Sequence, residues 1–143
     1  MRKSRSLSSF TLTIALLSGL SIFSPFGYAS PYVNGEAEKE LQIVTYFAKW
    51  CAPCRHEAPI LNELYEEGYG VAGINYDMDD NEHTRQIVNY LGIQFPVFKS
   101  KNINIEQYPF PAALPTTHIF KNGVRVETLL GIHDKETILK YLK

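Results

Sequence analysis

Cysteine is scarce in this chain, with two residues among 143. That count excludes a scaffold stapled by many disulfides. Basic residues have no surplus either, since 14 Lys and Arg stand against 15 Asp and Glu. A net charge of −1 leaves nothing to replace counterions on a phosphate backbone, so nucleic acid is excluded as a partner. There is no internal repeat and no low-complexity segment. What is present, 45% hydrophobic and 13% aromatic residues, suffices for the core of one ordinary domain and excludes wholesale disorder.

The first 29 residues lack any carboxylate. They open on Arg2, Lys3 and Arg5, pass through an apolar stretch from Phe10 to Phe23, and reach Gly27-Tyr28-Ala29 before the polar sequence begins. A positive start, an apolar middle and a small residue at the cut are the layout of a secretory signal peptide. The apolar stretch is broken by Thr11, Thr13, Ser18 and Ser21 and falls short of the roughly 20 residues a membrane-spanning helix needs. Cleavage after Ala29 is therefore expected, with an uncleaved membrane tether as the alternative. No cysteine near the cut supports a lipid anchor. Removing residues 1–29 takes away three basic residues and no acidic one, which leaves an acidic, exported, periplasmic or otherwise extracytoplasmic protein. Residues 30–40 then read as a short N-terminal extension, and 41–143 as the domain.

Export changes the meaning of Cys51 and Cys54. A bridge between them would close too short a loop to constrain much of the unfolded chain, so a purely structural disulfide explains little. Zinc wants about four ligands, and no second cysteine pair or His-x-x-x-His follows; His56, His83, His118 and His133 are scattered. Covalent haem attachment needs His directly after the second cysteine, where Arg55 stands. No metal and no cofactor is therefore expected.

The flanking pattern supplies a role. Leu41 to Phe47 and Val71 to Tyr76 are β-branched and aromatic runs of the kind that form buried strands. Pro53 to Glu67 reads as a helix, with proline in its first turn, Ile60, Leu61, Leu64 and Tyr65 at helical spacing, and Gly68 as its stop. Strand, helix and strand form a right-handed crossover in a parallel sheet, and the cysteines fall where the first strand turns into the helix. There Cys51 would meet the positive end of the helix dipole, which favours the thiolate that attacks disulfides. Cys54, one turn further in, is placed to attack the resulting mixed disulfide. The plainer alternative is two small core residues.

Further along, Asp80 or Asn81 can cap a helix running through Leu91, with Gly92 as its stop. Strands Thr116 to Lys121 and Val124 to Leu130 flank an Asn122-Gly123 turn, a strong hairpin signal. Asp134 can cap a last helix carrying Ile138, Leu139 and Leu142. The stretch Lys99 to Ala113, with Pro109 and Pro111, reads as an irregular loop. Its Tyr108 and Phe110 serve either as a substrate-facing lip or as packing onto the core.

The run from Tyr46 to Pro59, containing Trp50-Cys51-Ala52-Pro53-Cys54-Arg55-His56-Glu57-Ala58-Pro59, resembles the active-site segment of the thioredoxin superfamily. More narrowly, it is similar to the exported TlpA/ResA-like thiol-disulfide reductases. A second match is Leu114-Pro115-Thr116-Thr117, where the family's equivalent proline is cis and faces the disulfide. The resemblance implies an α/β thioredoxin-like fold, a central mixed sheet with helices on both faces. It also implies an enzyme, a protein thiol-disulfide oxidoreductase cycling Cys51 and Cys54 between dithiol and disulfide and acting as a monomer. Its substrates would be protein disulfides, with the cysteines of apocytochrome c as one option, and its electrons would come from a membrane thiol donor of the DsbD/CcdA kind. A disulfide oxidase or isomerase, and a redox-silent module holding a metal ion or an unfolded client, are the alternatives.

The remaining site residues follow from the same comparison. Thr45 stands where thioredoxins carry a buried aspartate, so a base for Cys54 must come from elsewhere. Glu57, three residues after Cys54 on the same helix face, is that candidate; the alternative is a solvated glutamate. Trp50 and the backbone of Leu114-Pro115 are the candidate substrate contacts. Lys49 and Arg55 could raise the thiolate fraction of Cys51, or merely solubilise.

Overall fold

The computed structural model describes residues 30–37 and 39–143. The expected signal peptide lies outside the described residues. Among the described residues, six strands form one sheet: β1 (Tyr32–Asn34), β2 (Ile43–Phe47), β3 (Val71–Asn75), β4 (Val97–Phe98), β5 (Thr116–Lys121) and β6 (Val124–Leu130). Their order across the sheet is β1-β4-β3-β2-β5-β6. The middle strands β4, β3 and β2 run parallel, whereas β1, β5 and β6 pair antiparallel with their neighbours. Helices α1 (Ala52–Glu66), α2 (Asn81–Leu91) and α3 (Lys135–Lys140) complete the fold. Among the described residues no helix is long and apolar enough to cross a membrane.

Local chemistry accounts for the element ends. Asp80 caps α2 by accepting the His83 N–H at 2.8 Å, and Asp134 caps α3 by accepting that of Thr137 at 2.8 Å. Asn122 and Gly123 both take positive φ, 52° and 74°, the backbone that a two-residue hairpin turn with the sheet's own twist requires. Gly73 in β3 is needed for space: a Cβ there would lie 2.9 Å from the Phe47 ring and 3.1 Å from that of Phe95.

The pleat of β2 divides the core in two. Ile43 and Phe47 face a cluster with Cys54, Ala58, Leu61 and Leu64 of α1, Ile87, Val88 and Leu91 of α2, and Ile138 of α3. Val44 and Tyr46 face the opposite cluster, with Ala72, Ile74, Phe98, Tyr108 and Phe120. The buried side chains of all three α-helices thus belong to the first face. The second face is covered by the segment 99–113, whose helical piece is the 3₁₀ turn Ser100–Asn102, so the helical cover expected on both faces is met there by mostly irregular chain.

Two strands were not foreseen from sequence. β1 and β4 have three and two residues, too short to show an alternating pattern. β1 lies in the stretch read as an extension, yet it pairs with β4 and is held by Arg85, whose Nε donates to the Val33 carbonyl at 3.1 Å. Asn34 reinforces that edge through the Phe95 carbonyl and the Val97 N–H, both at 3.0 Å.

Candidate active site

β2 ends at Phe47, and the chain turns through Ala48 to Trp50 before α1 begins. Cys51 is the N-cap of α1, with extended backbone, and its Sγ accepts the Cys54 N–H at 3.2 Å. Helix capping is usually done by an oxygen; here a sulfur does it, and a thiolate in that position would gain from both the donated N–H and the helix dipole. The first turn of α1 contains no acidic residue that would oppose that charge. Cys51 and Cys54 form a disulfide, and both residues are nearly closed off, at 4% and 3% exposure.

Pro115 is brought to the same end of the sheet by strand register. Thr116 pairs with Tyr46 and Thr117 with Thr45, so Pro115 lies level with the end of β2 from which the cysteine turn leaves. The Leu114–Pro115 bond is cis, as the resemblance implied. Leu114 packs against the cluster that holds both cysteines and, with Ala112, Ala113, Trp50 and Tyr76, lines a cavity of about 180 Å³. Trp50 is 65% exposed. Its indole Nε1 donates to the Asp77 carboxylate at 3.0 Å and its ring stands edge-on to Tyr76, so the tryptophan is fixed from one side and open on the other.

Glu57 is the departure from ordinary burial. It shares the inward stripe of α1 with Cys54, Ala58, Leu61 and Leu64 and is 2% exposed. The alternative of a solvated glutamate is thereby overturned. Its Oε2 accepts the Thr45 hydroxyl at 3.0 Å and its Oε1 that of Thr117 at 3.1 Å. Burial pushes its pKa up from 4.5 to about 7, against the lowering effect of the two hydroxyls.

Lys49 and Arg55, for which the sequence leaves open either support of the Cys51 thiolate or simple solubilisation, turn towards α2. Both lie over the ring of Tyr90 in α2, at 6.0 and 4.7 Å from its centroid, and Arg55 also bonds the Tyr90 hydroxyl. Of the two loop aromatics, Tyr108 is buried in the second core. Phe110 stays 46% exposed, packed between the rings of Tyr46 and Tyr76. The packing alternative thus holds for Tyr108. Among the described residues, no group of three or more His, Cys, Asp or Glu is arranged to hold a metal ion.

Sequence reasoning missed Asp77, Thr117 and Tyr76 as parts of this site. Thr117 had a usable signal, since it closes the Leu114-Pro115-Thr116-Thr117 motif, and as the β5 residue directly opposite Thr45 it shares that residue's face of the sheet.

A parallel β-α-β unit carrying a cysteine pair on its first turn, beside an antiparallel strand entered through a cis proline, defines the thioredoxin-like class of folds. The family model for Thioredoxin matches residues 32–107. The chain belongs to the thioredoxin family. Among curated relatives, it is 33% identical over 105 residues to the thiol-disulfide oxidoreductase ResA of Bacillus anthracis, covering 70% of this chain and 60% of that protein. It is 32% identical over 108 residues to thioredoxin 1 of Plasmodium falciparum, covering 73% and 84% of the two chains. The solved structure of StoA from Bacillus subtilis superposes with a TM-score of 0.60 at 20% identity, over 78% of this chain and 92% of that one. The chain spans only about 60% of the length of its ResA relatives.

Proposed function

We propose that this protein is an exported thiol-disulfide oxidoreductase that reduces protein disulfides through Cys51 and Cys54. The observation that carries the reading is the cysteine pair at the N-terminus of α1, at the sheet end where the Pro115 strand begins. In the dithiol form, the Cys51 thiolate attacks one sulfur of a client disulfide. A mixed disulfide forms and the other client sulfur leaves as a thiolate. Cys54 then gives its proton to Glu57 and attacks Cys51 Sγ, which forms the Cys51–Cys54 bond and frees the second client sulfur as a thiolate. Two electrons pass to the client, and solvent protonates its thiolates. Trp50 and the Leu114-Pro115 backbone form the surface against which the client chain rests.

The name of the ResA relatives supports the activity. Export rests on residues 1–29, which carry three basic residues, an apolar stretch and no carboxylate. In this reading, residues 1–29 are a signal peptide removed after Ala29, the protein works as a monomer, and a membrane thiol donor of the DsbD/CcdA kind restores the dithiol. Disulfide-bonded clients, apocytochrome c among them, are its substrates. The test is reduction of a protein disulfide such as insulin by excess small dithiol, with and without catalytic amounts of the protein. Acceleration well above the small dithiol alone is expected, and none would overturn the reading. Intact mass of the exported protein is expected to begin at Ser30, and retention of residues 1–29 would make it a membrane-tethered form.

A further inference from the structure

Behind the cysteine pair lies a closed arrangement of three buried side chains. The Thr45 and Thr117 hydroxyl oxygens are 3.1 Å apart, and each is within 3.1 Å of a different Glu57 oxygen. The threonines are a directly opposed pair on β2 and β5, so the sheet itself sets their spacing. One further acceptor, the Thr116 carbonyl, stands 3.5 Å from the Thr45 hydroxyl.

Counting protons shows what the triangle can do. When Glu57 is ionised, two hydroxyl protons are available, and both can be donated to the carboxylate, one to each oxygen. When Glu57 is neutral there are three protons for three edges: the acid donates to Thr117, Thr117 to Thr45, and Thr45 to the other carboxyl oxygen. Every oxygen then has a partner, and the change between the two states needs only rotation of hydroxyls. A buried carboxyl without such partners would lose a hydrogen bond in one state or the other.

We propose that Thr45 and Thr117 are positioning residues that let Glu57 take up and release the Cys54 proton without moving its side chain. The inference rests on the reading of Glu57 as the base in mixed-disulfide release. In that step the Cys54 S–H bond breaks, its proton goes to a Glu57 oxygen, and its electron pair forms the bond to Cys51 Sγ as the client sulfur departs. The two hydroxyls then reorient from the two-donor arrangement to the ring. β2 and β5 present the two threonines, β3 presents Gly73 beside Thr45, and α1 presents Cys54 and Ala58. Among the described residues no charged side chain pairs with Glu57.

The test replaces each threonine by valine, which keeps shape and removes the hydroxyl, and by serine, which keeps the hydroxyl. Carbon-detected NMR of the oxidised protein follows the Glu57 carboxyl through its titration. Stopped-flow kinetics follow release of the mixed disulfide against pH. Loss of a donor to the carboxylate disfavours the ionised form, so Thr45→Val and Thr117→Val are each expected to raise the midpoint by about half to one pH unit. The rate profile should move by the same amount, with KM unchanged, and Thr45→Ser and Thr117→Ser should return both to the wild-type position. Midpoints unmoved in the valine variants, or not restored by serine, would overturn the inference; if one valine variant does not fold, the other position decides. Failure of the underlying reading looks different. A Glu57→Gln protein that kept the wild-type rate profile would remove Glu57 as the base whatever the threonines do.

Discussion

Cys51→Ser is expected to lose all detectable disulfide reduction, while Cys54→Ser accumulates a covalent adduct with the client. The two substitutions differ because the sulfurs enter at different steps. Without Cys51 Sγ there is no nucleophile at the N-terminus of α1, and the serine hydroxyl has no ionised form near neutral pH to replace the thiolate. Without Cys54 the first attack proceeds, but nothing inside the protein can displace the client from Cys51. The loss of turnover in both variants should exceed a factor of about a thousand, since covalent catalysis is removed rather than weakened. Non-reducing electrophoresis and mass spectrometry of the adduct settle the order. Stable adducts through Cys54 in the Cys51→Ser protein would reverse the assignment.

Glu57→Gln is expected to slow turnover near neutral pH by about a hundredfold and, at the same time, to stabilise the fold at alkaline pH. The amide can occupy the same ring as the protonated acid, accepting from one threonine and donating to the other, but it cannot take a proton from Cys54. A factor of about 10² lies at the lower end of what a positioned base contributes. The stability effect follows from linkage. In the unfolded chain Glu57 ionises at its ordinary 4.5, and in the folded chain at about 7. Between those values the folded state holds a proton that the unfolded state has released, so stability falls as pH rises through this window and levels off above it. A shift of this size corresponds to roughly 3 kcal/mol. Urea denaturation at a series of pH values should therefore show the glutamine variant more stable than wild type at pH 8, with the margin closing towards pH 4–5. A constant difference across that range would mean that Glu57 does not titrate in the buried site.

Much of this arrangement was legible in the chain. Asp80 and Asp134 announced their helices because a carboxylate before an apolar-periodic run has a definite hydrogen-bonding task, which both perform. The hairpin of β5 and β6 was equally clear, since Asn122-Gly123 supplies the positive φ values that the turn demands. The cysteine pair could be placed at the head of α1 from the strand before it and the proline within it. β1 and β4 were not legible because strands of three and two residues are defined by their partners rather than by any pattern of their own. Nor could the sequence say that Lys49 and Arg55 turn towards Tyr90, because that ring comes from another helix.

The site illustrates the same division. Glu57 stood out by type and spacing, but its burial and its two hydroxyl partners depend on the register between β2 and β5. Thr45, one of those partners, looked from sequence like the loss of an expected acid. In the folded chain it is half of the cradle that receives a carboxylate from the neighbouring helix. For the irregular segment 99–113 the sequence allows its aromatics either to pack onto the core or to face a substrate, and only the assembled sheet separates Tyr108, which packs into the second core, from Phe110, which stays half exposed.

A redox titration of the protein against glutathione and dithiothreitol buffers tests the central claim most directly, with the emission of Trp50, the single tryptophan, as the signal. A reductase working through Cys51 and Cys54 predicts one reversible two-electron transition, tenfold in the oxidised-to-reduced ratio for about every 30 mV, with a midpoint more negative than about −200 mV. A transition above about −150 mV would make the protein an oxidant of client thiols, and no transition at all would make the cysteine pair redox-silent; either result would contradict the account.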